Sequence, residues 1–123
     1  MSLIRTLLIE DSEKAAKMNQ ELLEDTFNFK VDICQSPQNI VPMLTSKGYE
    51  LVILDVSMAS THRRYFDVAD RIKDLKPGAT LIGASYTLTR EAKDYFDYTC
   101  DFLEMECEED ESLRLFNYLK GLG

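Results

Sequence analysis

Histidine is nearly missing: His62 is the only one in 123 residues. A multi-His metal centre is excluded, and a Ser-His-Asp triad would have to be built around that single ring. Cysteine is scarce too. Cys34, Cys100 and Cys107 are odd in number and form no C-x-x-C, which argues against a disulfide framework or zinc cluster and leaves ordinary thiols. No apolar run approaches the roughly 18 residues that span a bilayer, and no basic-then-apolar leader opens the chain, so a cytoplasmic protein is expected. Basic residues are outnumbered, 14 Lys+Arg against 22 Asp+Glu, for a formal net charge of −8. Such a chain grips phosphate backbones poorly, which argues against direct nucleic-acid binding. Internal repeats, low-complexity tracts and linkers are also lacking.

What is present has the balance of a folded globular chain, 45% hydrophobic and 29% charged, and is expected to form one domain over residues 1–123. Short apolar runs alternate with segments of helical period, the signature of βαβ units and a parallel sheet. Strands are predicted over 3–9, 31–34, 50–55, 80–85 and 101–103. Ser12 caps a first helix whose inner stripe reads Ala15, Met18, Leu22 and the Phe27 end. Ser36-Pro37 opens a second helix, but Pro42 would break its interior. Either that helix is distorted, or it starts at Asn39 with Pro42 in its first turn. The third runs from Ser60 or Thr61 to Leu75, with Tyr65, Val68, Ile72 and Leu75 inward, and stops at Lys76-Pro77-Gly78. A fourth covers 88–98. A fifth covers 110–122, with Leu113, Phe116 and Leu119 inward. The result is an α/β, three-layer αβα sandwich.

In open parallel sheets, ligands gather at the carboxyl ends of the strands, where strand order reverses. Those ends carry Glu10 and Asp11, then Asp55, then Ser85. Neighbouring first and third strands would bring three carboxylates into one crevice. Their mutual repulsion is relieved by a hard divalent cation such as Mg²⁺. Glu10 and Asp11 can also be read as acids favoured at a helix N-terminus. Asp55, closing the apolar run Leu51-Val52-Ile53-Leu54, is harder to read that way.

From Leu3 to Leu122 the chain resembles the receiver domain of two-component response regulators. The resemblance is carried by Leu7-Leu8-Ile9-Glu10-Asp11-Ser12, by Leu51 through Asp55-Val56-Ser57-Met58, and by Leu81-Ile82-Gly83-Ala84-Ser85. It implies a flavodoxin-like receiver fold with a five-stranded sheet of order 2-1-3-4-5. It also implies that Asp55 accepts a phosphoryl group from a phosphohistidine on a sensor kinase or phosphotransfer protein. Asp11 and Asp55 would hold Mg²⁺ through carboxylates, Glu10 through water and Ser57 through its backbone carbonyl. Ser85 would be the phosphate-contacting hydroxyl and Phe102 the switch aromatic. Enzymatic activity would be limited to self-phosphorylation and self-dephosphorylation. The partners implied are the phosphodonor protein and a downstream protein, with a homodimer also compatible.

The chain departs from the family pattern at two places. With the fifth strand at 101–103, Met105 takes the place of the usual lysine and Glu106 that of the proline. No basic residue occurs between Lys93 and Arg114, and Glu104, Glu106, Glu108, Glu109, Asp110 and Glu111 crowd the same stretch. After Asp55 the usual Met-Pro is replaced by Met58-Ala59, followed by His62-Arg63-Arg64, where the arginines either restore positive potential or are simply solvated. Two functions remain open: a phosphorylatable switch, or a pseudo-receiver that binds partners without phosphorylation. An α/β enzyme is disfavoured, because Asp55-Val56-Ser57 lacks the second aspartate of haloacid-dehalogenase-type phosphatases and no Gly-rich or flavodoxin-like loop follows the strands. Tyr95 and Tyr98 are compatible with either core positions or a partner surface.

Overall fold

The apolar runs become strands buried on both sides. In a computed structural model, which describes residues 3–27, 29–55, 65–84 and 96–100 together with Leu119 and Gly121, β1 is Ile4–Ile9, β2 Phe29–Cys34, β3 Leu51–Asp55 and β4 Thr80–Ala84. These four run parallel in the order β2-β1-β3-β4, and the three-residue β5, Tyr98–Cys100, extends the sheet beside β4. Helix α1 is Glu13–Thr26, α2 Ile40–Ser46 and α3 Tyr65–Leu75, with a 3₁₀ turn at Pro37–Asn39.

Alternation along the strands divides the apolar side chains between two cores. Leu8, Leu51 and Ile53 pack with Ala16 and Leu23 of α1 and with Leu119. Leu7, Ile9, Val52 and Leu54 pack on the opposite face with Ile40 and Leu44 of α2 and Ala69 and Ile72 of α3. Helices therefore cover both faces of the sheet, as a parallel sheet requires. Each fully buried Leu or Ile contributes roughly 1.5–3 kcal/mol, so the central strands are firmly held. Among the described residues, no helix is long and apolar enough to cross a membrane.

Local chemistry sets the helix ends. Ser12 Oγ accepts the Ala15 amide at 3.3 Å and caps α1. The second helix begins after Asn39, with Pro42 in its first turn, where the missing N–H would have had no intrahelical acceptor. Lys76 N–H donates to Ile72 O at 2.8 Å and Ala79 N–H to Lys76 O at 3.1 Å, turning the chain out of α3 through Pro77-Gly78.

Three expectations are corrected. The inner stripe of α1 is Ala16, Leu23 and Phe27, whereas Met18 and Leu22 are exposed. Ala16 is small enough to let the helix lie close on the sheet, and that contact turns the helix about one residue from the Ala15-Met18-Leu22 face. The fourth helix does not extend to Tyr98, which opens β5, and β5 begins there rather than at Asp101. Asp97 accounts for this early entry: its N–H donates to Leu81 O at 2.9 Å, and its Oδ2 accepts the Leu81 N–H at 2.8 Å. Both peptide groups of Leu81 are thereby tied to Asp97, and Tyr98 follows in register with Ile82. Residues 101–103, the start of α3 before Tyr65, residues 88–95 of the expected fourth helix, and the fifth helix apart from Leu119 and Gly121 lie outside the described residues.

Candidate functional site

Register brings the acids together. β1 and β3 are neighbours with Ile9 opposite Leu54, so the residues that follow, Glu10 and Asp55, stand at the same rim. Glu10 is held there by its own backbone, its N–H donating to Cys34 O at 2.9 Å. Asp11 comes next, just before the Ser12 cap. One carboxylate oxygen from each of Glu10, Asp11 and Asp55 lies within 4.8 Å of the others.

Burial separates this cluster from a solvated acidic face. Glu10 is 3% exposed and Asp55 5%, while Asp11 is open to solvent. Glu10 also precedes the N-cap, so its carboxyl is not one of the exposed first-turn acids that a helix dipole favours. Burial, a hydrogen bond to the Asp55 carboxyl, and the charges of Asp55 and Asp11 push the Glu10 carboxyl up to about 9. Its Oε2 is fully buried and has no hydrogen-bond partner among the described residues. An orphaned buried carboxylate oxygen beside two further carboxylates has the donor set that a hard, oxygen-seeking divalent cation requires. The residues present fit such an ion.

The remaining expected site residues, Ser57, Ser85 and Phe102, lie outside the described residues, as do Met105 and His62 through Arg64. Ser57 follows Asp55 by two positions and Ser85 follows Ala84, the β4 residue opposite Asp55. Cys34 is an ordinary buried thiol. Its Sγ donates to Ser36 O at 3.2 Å, and burial pushes its ionisation upward. A feature absent from the sequence reading is the trio Asp32, Lys47 and Tyr49, whose phenol donates to Asp32 Oδ2 at 2.8 Å while Lys47 Nζ stands 3.1 Å from the same oxygen. Its residues lie on β2 and in the turn before β3, so only the fold could bring them together.

No family model matches the sequence, and no curated protein matches it either. Solved structures do. A CheY-like response regulator receiver domain from Methylobacillus flagellatus superposes with a TM-score of 0.76 at 20% identity, covering 96% of this chain and 99% of that one. Another, from Methanospirillum hungatei JF-1, gives 0.74 at 15% identity over 98% and 94%. A response regulator protein from Burkholderia pseudomallei, solved with a phosphorylated aspartic acid, a calcium ion and citrate, gives 0.72 at 13% identity over 94% and 66%. The chain has the fold of the response regulator receiver domains.

Proposed function

We propose that this chain is a phosphoacceptor receiver in which Asp55 takes a phosphoryl group from a phosphohistidine of a sensor kinase or phosphotransfer protein. The observation carrying this reading is the convergence of Glu10, Asp11 and Asp55 oxygens within 4.8 Å at the rim where β1 and β3 end. A bound Mg²⁺ would neutralise charge on the transferring phosphoryl oxygens, which is most of what such chemistry asks of its surroundings. Asp11 and Asp55 would hold it through carboxylates, Glu10 through water and Ser57 through its carbonyl. An Asp55 carboxylate oxygen forms the new P–O bond as the P–N bond to the imidazole breaks, and the imidazole nitrogen leaves with the electron pair. Ser85 would donate to a phosphoryl oxygen, and attack of water on the acyl phosphate would end the signal. Activity on small phosphodonors, a cytoplasmic setting and a downstream protein partner belong to the same reading.

A second reading is favoured by one specific observation. With β5 entering at Tyr98, an aromatic at Tyr98 with the same three-residue spacing that separates Phe102 from Met105 puts the lysine position at Asp101. Neither register supplies a cation. A charged hydrogen bond of about 1.5–3 kcal/mol to the phosphoryl group is then lacking, which favours a pseudo-receiver acting through protein contacts alone.

One experiment separates the two. Incubation with a small phosphodonor and Mg²⁺ should add one phosphoryl group to the wild-type mass and none to Asp55→Asn. Absence of that gain under conditions that label an ordinary receiver rejects the first reading. Amide shifts that do not respond to beryllofluoride and Mg²⁺ then support the second.

A further inference from the structure

Strand β2 is an outer strand of the sheet. Alternate residues of a strand in a parallel ladder turn both peptide groups to the same side. Cys34 O accepts from Glu10 N–H, so Cys34, and with it Asp32 and Lys30, faces β1. Val31 faces away, toward the side where an added strand would pair. Outward peptide groups on a strand rich in β-favouring residues are a template for pairing with another chain, and Phe29–Cys34 reads Phe-Lys-Val-Asp-Ile-Cys. Strand β2 runs for six residues along this edge.

Helix α1 occupies the outward groups of Val31. Gln20 Nε2 donates to Val31 O at 2.7 Å, and Val31 N–H donates to Glu24 Oε2 at 2.9 Å. Gln20 and Glu24 stand one helical turn apart and lie on the same flank, so the helix presents one donor and one acceptor, as a neighbouring strand would. These contacts are not what docks α1, which is already anchored by Ala16 and Leu23 in the core. Glu24 itself is exposed.

We propose that Gln20 and Glu24 form an edge guard. By holding both outward peptide groups of Val31, they keep β2 from pairing with β2 of a second copy of this chain. The exposed Lys30 adds charge to the same edge. Removing the guard turns β2 into a self-association surface, whatever the phosphorylation chemistry of the acidic rim.

The test compares wild type, Glu24→Gln, Glu24→Ala and the double variant Gln20→Ala/Glu24→Ala. At low concentration, Val31 amide exchange should quicken about tenfold in Glu24→Ala, which loses a hydrogen bond to a charged acceptor. It should stay near wild type in Glu24→Gln, whose amide oxygen still accepts. By sedimentation velocity, the double variant should associate at concentrations where wild type does not, and the Phe29 and Ile33 amides should gain protection as it does so. Wild-type Val31 exchange in Glu24→Ala, or a folded double variant associating no more than wild type, overturns the proposal. If the double variant does not fold, exchange and sedimentation of Glu24→Ala decide.

Discussion

The ring of Phe96 lies so close against the backbone of Gly83 that a Cβ built there would stand 2.8–2.9 Å from three ring carbons. Gly83 is the fourth of the five residues of β4, and Phe96 directly precedes the Asp97 tie to Leu81. The absent side chain is what lets the incoming chain lie flat on β4. Gly83→Ala should therefore destabilise the protein by about 1–3 kcal/mol, the usual cost of overpacking a filled core, as read from urea unfolding. Phe96→Leu in the same chain should recover part of the loss, since the two effects share one contact. Equal costs with and without Phe96 would contradict the contact.

The same contact marks where the sequence stops being legible. β1, β3 and β4 are legible because short aliphatic runs, Leu7-Leu8-Ile9, Leu51-Val52-Ile53-Leu54 and Leu81-Ile82, alternate with segments of helical period, as buried parallel strands do. The acidic rim was readable because Asp55 ends such a run abruptly. The entry of β5 was not. Tyr98-Thr99-Cys100 carries no apolar run, and its place depends on Asp97 binding Leu81 and on Phe96 finding Gly83, both long-range events. The face of α1 is obscured in the sequence for a related reason. Met18 and Leu22 look like core by hydrophobicity, yet closeness of approach is decided by Ala16. The Gln20 and Glu24 bonds to Val31 have no sequence signature at all.

Divalent cation should be felt in stability before any phosphorylation. At a hundredfold excess over its dissociation constant, Mg²⁺ should stabilise the wild type by about 2.7 kcal/mol. Thermal unfolding in EDTA and in Mg²⁺ measures this. Asp55→Asn, which removes one of the carboxylates that would hold the ion, should be nearly unresponsive to it. An equal Mg²⁺ response in the variant would show that the ion binds elsewhere.

Without metal, stability should fall as pH rises over the range set by Glu10. Its carboxyl titrates near 4.5 in an unfolded chain and near 9 in the folded one. The folded state therefore holds more protons between those values. The contribution is whole below about 4.5 and is lost as pH rises through about 9, with a slope of at most about 1.4 kcal/mol per pH unit. Urea unfolding in EDTA at pH 5 to 8 should show wild type losing stability relative to Glu10→Gln. Asp32 acts in the other direction and below this window: burial raises its ionisation, but the Tyr49 and Lys47 bonds outweigh that and lower it, so its contribution is lost only as pH falls below about 4. Parallel curves for wild type and Glu10→Gln would place the pH dependence in other groups.

The Asp32 trio supplies a ranking rather than a single value. Tyr49 and Lys47 reach the same carboxylate oxygen, at 2.8 and 3.1 Å. Charge alone would make the lysine the stronger partner. Burial reverses the order: Tyr49 is 5% exposed, whereas the Lys47 side chain is 53% exposed and its attraction is screened by water. The Asp32 bond and burial together push the Tyr49 phenol well above its ordinary range, so it remains a donor throughout the working pH range. Tyr49→Phe should cost about 1–2 kcal/mol, a hydrogen bond to a charged acceptor being lost while the ring stays in the core. Lys47→Ala should cost under about 0.5 kcal/mol and lose even that in high salt. Chemical denaturation of both variants at low and high ionic strength measures the order, and a larger cost for Lys47→Ala would mean that the exposed charge, not the buried phenol, holds the turn before β3 to strand β2.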